Sequence, residues 1–216
     1  MLVDGLIMFL GLVVLLTFHE FGHAWVAWRS GDDTARLQGR VSLNPLVHID
    51  IIGTVVLPLL MIFLSATGSG LSRFLVGWAK PVPVNPQKLK QPKLDDILVT
   101  FAGPGMNLLL AVMLVGLARV ALMAHVNSAA VVCWQMAHLS LVLCFFNLLP
   151  IPPLDGSQIV RVLVGMSYET YYQFARYGFL ILILVLQIPL VREILGQVTT
   201  KSQLIMAGWF GMPIDF

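Results

Sequence analysis

Charge is what this sequence has least of. Only 11% of its 216 residues are charged and 58% are hydrophobic, and its mean hydropathy is +0.87. Soluble domains carry about 25% charged residues. A chain this long with so few charges is read as an integral membrane protein. Its net charge of +2 excludes the strongly basic balance expected of a nucleic-acid binder. Cysteine is scarce too. Cys133 and Cys144 share one apolar run, a spacing that implies neither a metal knuckle nor a disulfide framework. There is no long polar stretch to form an appended soluble domain, no internal repeat and no low-complexity tract. The N-terminal run is expected to stay as a helix. Asp4 stands where a signal peptide has its basic residues, and the apolar run continues to Trp28 without a small-residue cleavage site.

Long apolar runs are plentiful. Crossing a hydrocarbon core takes roughly 20 residues, and four segments qualify: Leu2 to Trp28, Ile97 to Met123, Ala129 to Leu149 and Tyr172 to Val191. A fifth, Ile51 to Ala66, is shorter and carries Pro58. Between the runs lie a loop from Gly39 to Asp50 and a proline-marked loop from Gly77 to Pro92, where helix is excluded. Arg29, Arg36 and Arg40 precede Ile51 to Trp78, and Lys80, Lys88, Lys90 and Lys93 follow it. The positive-inside rule puts both flanks in the cytoplasm. That stretch is therefore expected to make no net crossing, as a re-entrant element or a hairpin. The expected fold is a single all-α polytopic membrane domain over residues 1–216, with about four to six transmembrane helices.

One of these spans carries chemistry. His19-Glu20-Phe21-Gly22-His23 is an H-E-x-x-H pattern. Positions i and i+4 share a helix face, so both imidazoles can reach one metal ion. Glu20 beside them can act as general base toward water. One ionisable residue at membrane depth costs about 2.5–3.5 kcal/mol, and a metal would offset the cost of three. The alternative is that these groups pack against other helices or line an ion pathway.

Catalytic zinc usually has three protein ligands. A third histidine six residues after His23 is ruled out because Arg29 stands there. The candidates are His48, Asp50, His125, His138 and Asp155. His125 falls in a loop assigned outside, and His138 suits a packed histidine. Asp155 follows Asn147-Leu148-Leu149-Pro150-Ile151-Pro152-Pro153-Leu154, whose prolines break the helix at the cytoplasmic end of a span. Irregular backbone at that depth is tolerated only against protein or a cavity, which favours Asp155 as the third ligand. Its competing role is N-cap of a helix starting near Ser157. The Asn147 amide can serve an oxyanion or a helix-to-helix hydrogen bond, and the residues leave that choice open.

Together the two motifs resemble the site-2 protease family of intramembrane zinc metalloproteases. The matched residues are His19 to His23, then Asn147, Pro150, Asp155 and Gly156. Further stretches resemble its short prokaryotic branch, which has no PDZ or CBS domain. These are Gly39 to Asp50 with Gly53-Thr54, Gly77 to Pro86, and Gly103-Pro104-Gly105-Met106-Asn107. The likeness covers about residues 5–165, leaving 166–216 as an additional C-terminal helix and tail. It implies one zinc ion per chain on His19, His23 and Asp155, Glu20 as catalytic base, and Asn147 aiding the substrate or oxyanion. It also implies a membrane-associated β-loop that pairs with unwound substrate, with Gly77, Trp78, Ala79, Lys80 and Pro81 as its candidates here. Asn44 and His48, in the other matched loop, are expected near the substrate. For His48 the competing reading is a solvated interfacial histidine. The expected activity is hydrolysis of peptide bonds in or near membrane-spanning segments, in a prokaryotic cytoplasmic membrane with the site facing the cytoplasm. The expected partners are a membrane-protein substrate and the lipid bilayer, with no nucleic acid. A metal-ion transporter and a catalytically silent membrane-binding relative are the alternatives.

Overall fold

Asp4 in the first turn and Arg29 in the last place charges of the favourable sign at the two ends of helix α1 (Leu2–Arg29). The helix stops at Gly31, whose φ of 108° suits a residue without Cβ. Asp32 N–H reaches the Ala27 carbonyl (2.9 Å) and Gly31 N–H the Trp28 carbonyl (3.1 Å), the two bonds of a Schellman end. The computed structural model describes residues 2–66 and 77–213. They are all-α, with no strand among them. They divide into two compact units, Met1–Lys90 and Gln91–Phe216.

In the first unit a short helix, α2 (Thr34–Leu37), follows α1. A π-helical turn (Ile51–Val56) then runs into α3 (Leu57–Ala66). Pro58 has no N–H to give the Thr54 carbonyl, which accounts for a widened turn there. Asp50 starts the segment, its Oδ1 accepting the N–H groups of Ile52 (3.1 Å) and Gly53 (2.8 Å). Residues 67–76, the middle of the expected re-entrant stretch, lie outside the described residues. The chain on their far side returns to where the segment began. Trp78 N–H donates to the Gly53 carbonyl (3.2 Å), Lys80 N–H to the His48 carbonyl (2.9 Å), and Thr54 Oγ1 to the Trp78 carbonyl (2.7 Å).

The flanks are tied together as well. Lys90 N–H meets the Ser30 carbonyl (3.1 Å), and Lys88 Nζ meets Asp33 Oδ1 (2.6 Å). The two described ends of the stretch from Ile51 to Trp78 thus lie together, the arrangement expected of a segment that makes no net crossing. With Cys133 and Cys144 replaced by alanine, cysteines placed at Thr34 and Lys90 are expected to react with an impermeant thiol reagent from the same side. Labelling from opposite sides would refute this topology.

In the second unit α4 (Pro92–Met123) and α5 (Asn127–Asn147) are long and apolar enough to cross a membrane, as α1 is. Small residues line the buried face of α4 at Gly103, Ala111 and Ala118, letting α5 approach closely, with Asn107 buried on the same face. Ser140 Oγ donates to the Asn107 carbonyl across this contact (2.7 Å). The fourth expected span, Tyr172 to Val191, is not one helix. It is divided among α7 (Tyr168–Ala175), α8 (Gly178–Leu186) and α9 (Pro189–Trp209), and α8 meets α9 at an 82° bend. Pro189 explains the second break, since its ring is accepted at a helix start but not inside one. Beyond the break, α9 buries Thr199, Gln203, Met206 and Ala207, one i, i+4, i+7, i+8 face, with the last two packed among Ala111, Val115 and Leu141. The C-terminal stretch is thus part of the second unit's core. Between α5 and α7 lies α6 (Asp155–Leu163).

Candidate metal centre

Within the first unit, α1 brings two imidazoles together. His19 Nε2 and His23 Nε2 are 3.1 Å apart, and the rings meet edge to face with centroids 4.7 Å apart. Two nitrogens bound at ~2.0–2.1 Å to one tetrahedral ion would stand about 3.3–3.4 Å apart. The pair therefore fits a shared zinc ion with almost no adjustment. Both rings are buried, and so is Glu20 between them, on a helix whose other buried residues include Leu12, Leu15, Leu16, Ala24 and Ala27. Two imidazole nitrogens gathered in apolar surroundings suit a divalent cation that takes nitrogen ligands, with the Glu20 carboxylate at hand as a base.

The loops of the same unit add a second layer. His48 is 2% exposed and donates through Nε2 to the Ser42 carbonyl (2.8 Å), so it is a buried residue and not a solvated one. Its pKa is pushed down, chiefly by burial and further by the Arg40 charge, while the Ser42 contact and the Glu20 charge oppose the shift. Asn44 is exposed and accepts the Leu46 N–H (3.1 Å), a local capping role. Residues 77–85 form neither helix nor strand, since Pro81 and Pro83 remove N–H groups a ladder needs. Helix is not excluded from the whole loop, however: Pro86 starts a 3-10 turn, Pro86–Lys88, where its missing N–H costs nothing. In extended backbone the N–H and C=O of alternate residues face opposite edges. Trp78 turns both of its groups, and Lys80 its N–H, toward residues 48–54. Ala79 has the opposite edge.

Arg40, read in the sequence as a topological charge within a matched loop and given no role at the site, is 4% exposed. Its guanidinium donates to the carbonyls of Lys80 and Pro81, pinning the extended segment. The Glu20 carboxylate acts on it electrostatically, partly offsetting the burial that depresses its pKa. No spacing or periodicity marks Arg40 in the sequence. Its role follows from loop packing alone.

In the second unit Asn147 ends α5, and its Nδ2 donates to the Leu143 carbonyl of its own helix (2.9 Å). One N–H is thereby committed, while the amide has a second N–H and an acceptor oxygen. Asp155 is the first residue of α6. The N-cap position belongs to Leu154, one residue before Asp155. Ser157 anchors the turn, donating through Oγ to the Leu154 carbonyl (2.6 Å). The Gly156 position admits no side chain, since a Cβ there would stand 2.2 Å from the Leu148 carbonyl oxygen and 2.5 Å from that of Leu149. Gly156→Ala is expected to destabilise the protein by about 2 kcal/mol or more, as overpacking does, and to weaken metal binding. A thermal midpoint equal to that of the wild type would refute the close packing.

Other ligand candidates are engaged elsewhere. Asp50 caps the turn at Ile51. His138 Nδ1 is 2.9 Å from Gln203 Oε1, and Gln203 Nε2 donates to the Trp134 carbonyl (2.8 Å), joining α5 to α9. His125 occupies a left-handed position in the α4–α5 turn, with φ of 59°.

Comparison with known proteins agrees with this chemistry. Residues 7–131 and 116–186 match the model of Peptidase family M50. The chain is 37% identical over 189 residues to YwhC of Bacillus subtilis, a proposed zinc metalloprotease, covering 83% of this chain and 79% of that protein. It is 34% identical over 186 residues to Rip2 of Mycolicibacterium smegmatis, also a proposed zinc metalloprotease, covering 83% of this chain and 66% of the relative. Against Rip2 of Mycobacterium tuberculosis the identity is 33% over 151 residues, and the chain spans about half of that protein, 52%. No solved structure matches.

Proposed function

This chain belongs to peptidase family M50 and is a zinc metallopeptidase of the membrane, and we propose that it hydrolyses peptide bonds in or near the transmembrane segments of other membrane proteins. The observation that carries this reading is the buried pair His19 and His23, with Nε2 atoms 3.1 Å apart and the buried Glu20 next in sequence to His19, in an apolar helix of membrane-crossing length. His19, His23 and Asp155 would hold the zinc ion. The choice of Asp155 is supported by its place on the first residue of α6 and by the separate engagements of Asp50 and His138. Bound zinc supplies Lewis acidity, polarising the scissile carbonyl and lowering the pKa of water toward about 7.

The chain's own residues do the rest. Glu20 accepts the proton of the attacking water and passes it to the leaving amine. Its burial at 8% exposure keeps bulk water from competing for that proton. Asn147 donates a hydrogen bond to the substrate carbonyl or the oxyanion. A membrane-spanning substrate hides its peptide groups inside a helix and must unwind locally before attack. The extended segment around Ala79, pinned by Arg40 and by residues 48–54, offers the unwound strand a backbone edge. The basic loops favour a site on the cytoplasmic side of a prokaryotic cell membrane.

Quantitative proteomics of membranes carrying the wild-type chain or Glu20→Gln tests this reading. Membrane proteins shortened near a transmembrane segment only by the wild type are the expected outcome. Identical fragment profiles would count against proteolysis.

A further inference from the structure

We propose that Tyr168 and Tyr171 of α7 are positioning residues for the metal, holding the Asp155 end of α6 through the Asp96–Arg161 pair and through Ser157. The inference rests on Asp155 being a zinc ligand.

A helix as short as α6, with nine residues, has little stability of its own. It could slide along its axis or turn about it, and either motion would move a carboxylate on its first residue. Two contacts on α6 oppose these motions. Near its start, Ser157 Oγ lies 2.8 Å from the Tyr171 hydroxyl. Since the Ser157 proton is given to the Leu154 carbonyl, Tyr171 is the donor in that contact. Near its end, Arg161 is about 9 Å along the helix from Asp155. Its guanidinium pairs with Asp96 of α4, donates to Gln158 Oε1 (2.8 Å) and to the Tyr168 hydroxyl (3.0 Å), and stacks 3.8 Å from the Tyr168 ring centre. Tyr168 in turn donates to Asp96 (2.9 Å).

Tyr168 and Tyr171 stand three residues apart, on one face of α7. Burial pushes both phenols above their ordinary pKa, so both keep the proton that these bonds need. The start of α8 braces the same turn from outside. A Cβ on Gly178 would stand 2.4 Å from the Pro152 carbonyl oxygen, so backbone rests on backbone there.

Stability alone is a poor explanation for this arrangement. A buried ion pair can often be replaced by apolar residues at no loss of stability, and its best-attested use is to fix register. The element fixed here is the one whose first residue is Asp155. Helix α7 begins beyond residue 165, where the sequence motifs end, so the motifs omit this support.

The test uses the full chain in detergent micelles, with zinc affinity measured against a chromophoric chelator and the visible spectrum recorded after cobalt(II) loading. Tyr168→Phe combined with Tyr171→Phe keeps both rings and removes only the hydroxyls. It is expected to weaken zinc binding about 10–100-fold, the usual cost of losing support behind a metal ligand, and to move the cobalt band. Asp96→Asn is expected to act in the same direction. Gln203→Leu cuts the contacts to His138 and Trp134 in the same unit but away from α6, and should leave affinity and spectrum unchanged. Unaltered metal binding in both the tyrosine double variant and Asp96→Asn, while Asp155→Ala weakens it, would overturn the positioning role alone. So would an equal loss in Gln203→Leu, which would reduce the network to general stability. Metal binding that survives Asp155→Ala would overturn the ligand reading beneath it.

Discussion

Glu20→Gln is expected to reduce turnover by about 10²–10⁴-fold, the range general-base catalysis contributes, while the protein keeps its zinc. The substitution exchanges one carboxylate oxygen for an amide nitrogen and leaves the shape of a buried side chain unchanged. It takes away the group that can accept a proton from water. Neither of the two imidazoles is altered, and Glu20 is assigned as base and not as ligand, so metal content should match the wild type. The variant should also fold. Glu20 is 8% exposed, and a neutral amide is easier to bury than a carboxylate. Two measurements decide the matter: fragment formation from a membrane substrate found by the proteomic comparison, and zinc per chain by elemental analysis. Normal turnover would sink the mechanism. Loss of both zinc and activity would make Glu20 a ligand and would require a different base.

Replacing both His19 and His23 by alanine is expected to abolish stoichiometric zinc binding. The two nitrogens are the donors already gathered by α1, 3.1 Å apart, and one remaining carboxylate cannot retain the ion. Linkage gives a second readout. A ligand that binds only the folded chain stabilises it by about 2.7 kcal/mol when present at ~100 times its dissociation constant. Zinc added to metal-stripped wild type should therefore raise the thermal midpoint, and a chelator should lower it again. The double variant should respond to neither. Full zinc occupancy in that variant would show that the metal sits elsewhere.

The sequence by itself determined the chemistry and much of the topology. His19, Glu20 and His23 are neighbours on one helix, and local backbone geometry places i and i+4 side chains on the same face whatever surrounds them. Hydropathy over roughly 20 residues reports directly on membrane crossing. The basic residues flanking Ile51 to Trp78 foretold its return, because their cost of transfer acts residue by residue and needs no knowledge of packing. Tertiary structure decided what depends on contacts between distant segments. Arg40 reads as a loop charge until its guanidinium is seen on the Lys80 and Pro81 carbonyls. That Asn44 caps its own turn likewise shows only in the folded loop. The run from Tyr172 to Val191 has the composition of a span, yet it is cut into three helices, and composition cannot register an 82° bend. The network of Asp96, Arg161 and Tyr168 joins residues up to 72 positions apart. Its members were invisible in sequence because a buried charge is tolerable only with its partner, and which partner it finds is set by how the helices pack.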